Sequence, residues 1–338
     1  MADHEVERAS TTEGLPVSPS MGPALASAQV PARAAAVDAR TVFICLISIV
    51  LAVAAALSAQ VLMRLIAFFT NVSFYGRLSV VAARPTTDHL GIWVVVVPVV
   101  GGIVVGLMAR YGSKAIRGHG IPEAMEQVLL NESRIPPRMT FLKPLSAAVA
   151  IGTGGPFGAE GPIIATGGAL GSLIGQLLHT TAAERKTLLA AGAAAGMAAT
   201  FGAPASAVLL AVELLLFEFR ARSMVPVALA SATAAGVRLA FEGGEPVFAM
   251  PDIAPPAGLA LATYILVGAV IGVAAVIVTR AVYAIEDAFE HLPIHWMWWP
   301  AIGGVAVGVV GYFQPRTLGV GYYNITDILG GGDRKSVV

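Results

Sequence analysis

The sequence predicts an all-α polytopic membrane protein with broken and re-entrant helices. Three observations carry that prediction. Hydrophobic residues make up 56% of the 338 residues and charged residues only 12%, roughly half the charged share of a soluble domain. Several apolar runs reach the roughly 20 residues that cross a bilayer as a helix. Between them lie apolar stretches too short to cross and interrupted by Gly or Pro. At membrane depth these are tolerated only where protein or an aqueous cavity covers the freed backbone. The composition also excludes function classes. Lys plus Arg and Asp plus Glu each number 21, so no basic excess points to nucleic acid. The single cysteine, Cys45, rules out an intrachain disulfide framework.

Taken in order, residues 1–40 are rich in Ser, Thr, Pro and Ala and lack an apolar core behind a basic start. They read as a disordered cytoplasmic tail rather than a signal peptide. The first apolar run, 42–70, carries only Arg64 as a charge and is long enough to cross with tilt. The second, 90–108, is followed by Arg110, Lys114 and Arg117, which place the next loop, and therefore the N-terminal tail, in the cytoplasm. Gly118-His119-Gly120-Ile121-Pro122-Glu123 then opens a helix running to Leu130. Its length of about 15 Å is half the hydrocarbon core, so it enters and stops.

Further helices are expected at 141–153, 160–178, 186–200, 204–219 and 223–241, with breaks at 152–158, 202–204 and Pro226. Within 160–178, Gly167, Gly171 and Gly175 form a small-residue stripe suited to close helix contact. Residues 255–290 give a helix about 50 Å long, tilted or projecting from the bilayer. His291 and His295 invite a zinc reading, but Pro293 separates them and no third ligand is near. With Trp296, Trp298 and Trp299 they read instead as an interfacial aromatic belt. The last apolar helix, 300–313, leads into Leu318-Gly319-Val320-Gly321-Tyr322. The same order of helix, Gly-x-Gly and short helix start occurs at 91–122, as when a second structural repeat begins. The expected organisation is a first transmembrane repeat at 41–241, a linker at 242–256 and the start of a second repeat at 257–332. Residues 333–338 do not continue the apolar pattern and resemble translated sequencing-adapter sequence, so the reading frame is expected to have been cut there.

The stretch with most chemical content is Gly158-Ala159-Glu160-Gly161-Pro162. An ionisable residue at membrane depth costs roughly 2.5 kcal/mol or more and is a functional hypothesis by default. Gly158 permits unusual backbone geometry and Pro162 suits a first helical turn. The free N–H groups of that turn favour negative charge, so Glu160 occupies a place equally suited to a small anion. Alternatively, Glu160 simply caps its own helix. The nearby Gly152-Thr153-Gly154-Gly155-Pro156-Phe157-Gly158 is neither a dinucleotide nor a Walker phosphate loop. No HExxH or Gly-x-Ser-x-Gly is present, so no enzyme and no cofactor are expected.

Three blocks resemble the CLC family of chloride channels and chloride/proton exchangers, including its voltage-gated chloride channels. Gly118-His119-Gly120-Ile121-Pro122-Glu123 is similar to the family's Gly-Ser-Gly-Ile-Pro-Glu. Gly158-Ala159-Glu160-Gly161-Pro162 is similar to its Gly-Lys/Arg-Glu-Gly-Pro. Gly192-Ala-Ala-Ala-Gly196 through Phe201-Gly202-Ala203-Pro204 to Glu213 resembles its third block. Order and spacing agree over about residues 41–330. The resemblance implies a CLC-type inverted-repeat fold with its second half incomplete, in a bacterial inner membrane, a homodimer if full length. It also implies that helix ends at Gly118–Pro122, Gly158–Pro162 and Gly202–Pro204 converge on a chloride pathway. Glu160 would be the gate. Gly118, His119, Gly120, Ile121 and Pro122, with Gly158, Ala159, Gly161 and Pro162, would bind the anion.

The departures qualify this. His119 stands for the family's serine and either donates N–H to an anion or merely faces the cytoplasm at the helix start. Ala159 stands for a basic residue, which weakens the local field. Glu213 matches a widespread acid, read either as a buried, hydrogen-bonded structural acid or as part of a proton pathway. Leu214 stands where many exchangers carry the internal proton-transfer glutamate, although Glu218 could substitute. Gly311-Tyr312-Phe313-Gln314-Pro315 matches the family's Gly-x-Phe-x-Pro but is expected to close a helix rather than open one. The sequence thus favours channel-like chloride transport, with chloride/proton antiport as the alternative and fluoride export behind it. From another class, the chain would be a non-conducting fragment or membrane scaffold.

Overall fold

The computed structural model describes residues 39–118, 120–250 and 258–330. The expected tail up to residue 38, His119, residues 251–257 (the end of the linker and the first residue of the expected second repeat) and residues 331–338 (with the adapter-like 333–338) lie outside the described residues. Among the described residues eleven α-helices follow in order: α1 (Ala39–Tyr75), α2 (Val96–Leu107), α3 (Ile121–Leu130), α4 (Met139–Gly152), α5 (Glu160–Leu177), α6 (Ala182–Phe201), α7 (Pro204–Ala211), α8 (Ala221–Glu242), α9 (Gly258–Glu290), α10 (Trp299–Phe313) and α11 (Tyr322–Leu329). No strand occurs among the described residues. A 3-10 turn at Gly91–Val95 and a π turn at Met108–Gly112 extend α2 to membrane length, and among the described residues five helical stretches are long and apolar enough to cross. The short helix after Gly120 is as expected: ten residues.

α6 lies at the centre. Every residue from Thr187 to Ala199 except Met197 is buried, because small Ala and Gly side chains let neighbours approach from all sides. Thr181 and Glu184 cap its start reciprocally, Thr181 N–H donating to Glu184 Oε2 (2.9 Å) and Glu184 N–H to Thr181 Oγ1 (3.3 Å). Arg40, at the head of α1, donates to the same Glu184 carboxylate at 3.0 Å. The glycine stripe of α5 meets this helix. A Cβ on Gly167 would lie 2.1 Å from the Gly192 carbonyl oxygen and one on Gly171 2.0 Å from that of Leu188, so the two backbones touch in antiparallel sense. α8 covers α6 and α1, and it corrects one expectation. Pro226 does not break it; the proline is buried at the sixth position. It forfeits a single hydrogen bond near the helix start, where packing on two neighbours offsets the loss.

A second organising contact joins the early and late parts of the chain. α2 and α10 run antiparallel, and a Cβ on Gly102 would meet Pro300, one on Gly106 Met297, one on Gly304 Pro98 and one on Gly308 Val95. Each of these helices leads through a three-residue 3-10 turn, Lys114–Ile116 or Pro315–Thr317, into a Gly-x-Gly and a short helix. Gly118, Gly120, Gly319 and Gly321 all have positive φ, between +77° and +110°, a conformation that glycine adopts without Cβ strain. Gly311–Pro315 closes α10 as expected, with Gln314 as its cap. His295 lies 3.0 Å from the Arg110 guanidinium, while His291 Nδ1 bonds the Asp287 carbonyl at 2.6 Å, so the two histidines serve different partners. α9 buries no side chain.

Candidate functional site

The site is assembled where α4 stops. Its last turn ends at Gly152, and Gly154 (φ +99°) turns the chain while the Gly155 N–H donates back to Ala150 O at 2.9 Å. The chain then re-enters a helix at Glu160, the first residue of α5. The carboxylate folds over Gly158, where a Cβ would lie 1.7 Å from Glu160 Oε2, so any side chain there would displace it. Ala159 is fully buried.

The start of α3 abuts the start of α5. Gly120 (φ +93°) is packed so closely that a Cβ would lie 2.3 Å from the Gly161 carbonyl oxygen. Glu123 turns back to accept from the Gly120 N–H, completing the cap of α3. Of the expected anion-binding set, Pro122 and Pro162 have no N–H to offer and serve only to start their helices. Gly118 and Gly158 are exposed, and Ile121 is half-buried. His119 lies outside the described residues. At the third expected helix end, Phe201 meets the Tyr322 ring, with centroids 6.1 Å apart. The Pro204 carbonyl accepts from Ser231 Oγ at 2.8 Å, and Gly202 lies beside Arg238.

Two residues that the sequence reading did not place in the site stand within it. Tyr322, the first residue of α11, donates its hydroxyl to Glu160 Oε1 at 3.1 Å. Its ring meets Phe201 and Phe248 edge-on, with centroids 6.1 and 6.0 Å away. The Gly319 N–H donates to Gly154 O at 3.1 Å and anchors α11 to the loop ahead of Glu160. The internal repeat was the available signal, since Tyr322 follows Gly319-x-Gly321 as Ile121 follows Gly118-x-Gly120. Lys143, 6% exposed, donates Nζ to Ile116 O and Gly118 O, both at 3.0 Å. The intramembrane-charge argument applied to Glu160 would have found it as well.

The acids read as proton-pathway candidates are placed differently from expectation. Glu213 sits on a π turn, Val212–Leu216, and is exposed rather than buried and hydrogen-bonded. Within the same turn Leu215 and Leu216 take the buried positions. Leu214 packs against the core. Glu218 accepts from Ser223 Oγ at 2.6 Å and lies 3.7 Å from Lys186 and 3.8 Å from Arg220. It is the anion of a paired cluster.

Taken together, a carboxylate at a helix start, a second helix start against it, a phenol donor and a buried ammonium nearby make a site that favours one compact negative charge. A family model described as Voltage gated chloride channel matches residues 100–337, which include all of these groups. The chain belongs to the CLC family. Among its CLC relatives, "Chloride channel protein CLC-f" of Arabidopsis thaliana is 28% identical over 72% of this chain and 32% of its own length. "H(+)/Cl(-) exchange transporter ClcA" of Vibrio vulnificus (strain YJ016) is 30% identical over 69% of this chain and 51% of its own. The chain therefore spans about a third to a half of these relatives. A solved slow cyanobacterial Cl-/H+ antiporter superposes with a TM-score of 0.70 at 18% identity, over 89% of this chain and 69% of that one. That likeness shows the CLC fold: an all-α, multi-pass membrane protein with inverted repeats.

Proposed function

We propose that this chain contributes to a chloride pathway gated by Glu160, that transport is coupled to protons, and that the whole protein works as a homodimer in a bacterial cell membrane. The observation that carries the reading is the Glu160 carboxylate at the start of α5, with Gly120 of α3 packed on Gly161 and a hydroxyl donated from α11. Ionised, the carboxylate satisfies the positive end of α5 itself and blocks the place of an anion. Protonated, it loses that attraction and leaves the place to chloride, which backbone N–H groups bind weakly enough for passage. One proton taken up thus accompanies the exchange of carboxylate for chloride. The first repeat at 41–241 and the beginning of a second at 257–332 would supply facing walls.

Coupling to protons is favoured by the exchanger named among the relatives and by the antiporter of similar fold. Channel-like conduction remains a second reading on one observation. Leu214 cannot carry a proton, and Glu218 is held by Ser223, Lys186 and Arg220. Reconstitution of the full-length protein under an outward chloride gradient separates them. Proton uptake in proportion to chloride efflux is expected, and Glu160→Gln should abolish proton movement while chloride still flows. Chloride flux without proton movement in the unmodified protein would favour the channel. Repeating the assay with fluoride tests the anion preference.

A further inference from the structure

We propose that Tyr322 is the latch of the gate: its hydroxyl holds the Glu160 carboxylate in the blocking position and so sets how readily chloride displaces it. This rests on the reading of Glu160 as the gate. The geometry supports a positioning role. The hydroxyl donates to Glu160 Oε1 at 3.1 Å. The ring is fixed from two sides by Phe201 and Phe248, and the helix behind it is tied to Gly154, ahead of the gate in sequence. Asn324 Nδ2 donates to Arg316 O at 2.9 Å and braces the turn leading into α11, while Arg84 lies 4.1 Å over the Tyr323 ring. The hydroxyl is therefore presented by a rigid support. A donor to an ionised acceptor is among the stronger hydrogen bonds in proteins. Chloride has to compete with a carboxylate that the phenol holds in place.

The test is a double-mutant cycle on the full-length protein, with chloride affinity measured by titration calorimetry near neutral pH. Tyr322→Phe keeps the ring and its contacts and removes only the latch. Chloride is expected to bind roughly tenfold tighter in Tyr322→Phe than in the unmodified protein, the usual scale for a hydrogen bond to a charged group. In a Glu160→Gln background, which itself should tighten chloride binding, Tyr322→Phe should change affinity by less than about twofold. A merely structural tyrosine would weaken binding in both backgrounds, and that result would overturn the proposal by making the hydroxyl a support or ligand of the anion. No change with Tyr322→Phe while Glu160→Gln still tightens binding would overturn the latch alone. If Glu160→Gln leaves both chloride affinity and proton coupling untouched, the gate reading fails, and the latch fails with it.

Discussion

Lys143 brings a positive charge into a position only 6% exposed and spends its donors on two backbone carbonyls, those of Ile116 and Gly118. These carbonyls belong to the turn that aims α3 at the site, so the ammonium both fixes the turn and adds positive potential beside it. Replacing it with Met keeps the length and apolar stem but orphans both acceptors. An unsatisfied buried group costs about 1–3 kcal/mol, and of the two acceptors Ile116 is the buried one, so Lys143→Met should lower stability by about 1–3 kcal/mol. Thermal unfolding of the detergent-solubilised protein measures this, and an unchanged midpoint would mean that the turn holds itself. At this scale the sequence exposed Glu160, because a lone acid among glycines and apolar residues stands out. It did not expose the partner of Glu160, because a hydrogen bond between residues 162 apart leaves no local pattern.

Among the elements, α6 depends on its start. Partial burial of Glu184 raises its carboxyl pKa, but the Arg40 guanidinium and the Thr181 N–H outweigh that and hold it below the ordinary value of 4.5. A carboxylate with a depressed folded-state pKa adds stability that is full above the unfolded value and is lost as pH falls through the folded value. The unmodified protein should therefore lose stability more steeply than Glu184→Gln as pH drops below 4.5. Unfolding midpoints followed across that range would show parallel slopes if the pair contributed nothing. Helix existence and length were legible for α3, α5 and α10, because caps, Gly-x-Gly turns and apolar runs are local. Pro226 was misread because packing on α1 and α6 overrides a local breaker near a helix start. The exposure of Glu213 was hidden because it depends on which neighbours pack on Val212–Leu216, and the π turn there has no signature in the residues themselves.

For the molecule as a whole, the antiparallel contact of α2 with α10 is what makes the early and late segments one body. Gly304 has no room for a side chain, since a Cβ would lie 2.7 Å from Pro98 O, whereas Gly303 on the same helix has open space. Gly304→Leu should force the helices apart and cost at least about 1–3 kcal/mol, while Gly303→Leu should be nearly silent. Limited proteolysis of the linker at 242–256 reads this out directly. Faster cleavage in Gly304→Leu alone is expected, and equal rates in both variants would show that the contact does not couple the segments. The inverted arrangement was legible from the repeated helix and Gly-x-Gly order. The close approach of the two helices was not, because either glycine-bearing face of α10 could have served.

The reach of Tyr322 back to Glu160 also has a consequence in time. The two residues lie 162 positions apart. At roughly 5–20 residues per second, a ribosome delivers the phenol about 8–30 s after the acid. Throughout that interval the Glu160 carboxylate lacks this donor. Glu160 therefore gains this partner only after residue 322 has been made, and translational stalling anywhere between the two would leave the carboxylate without that donor.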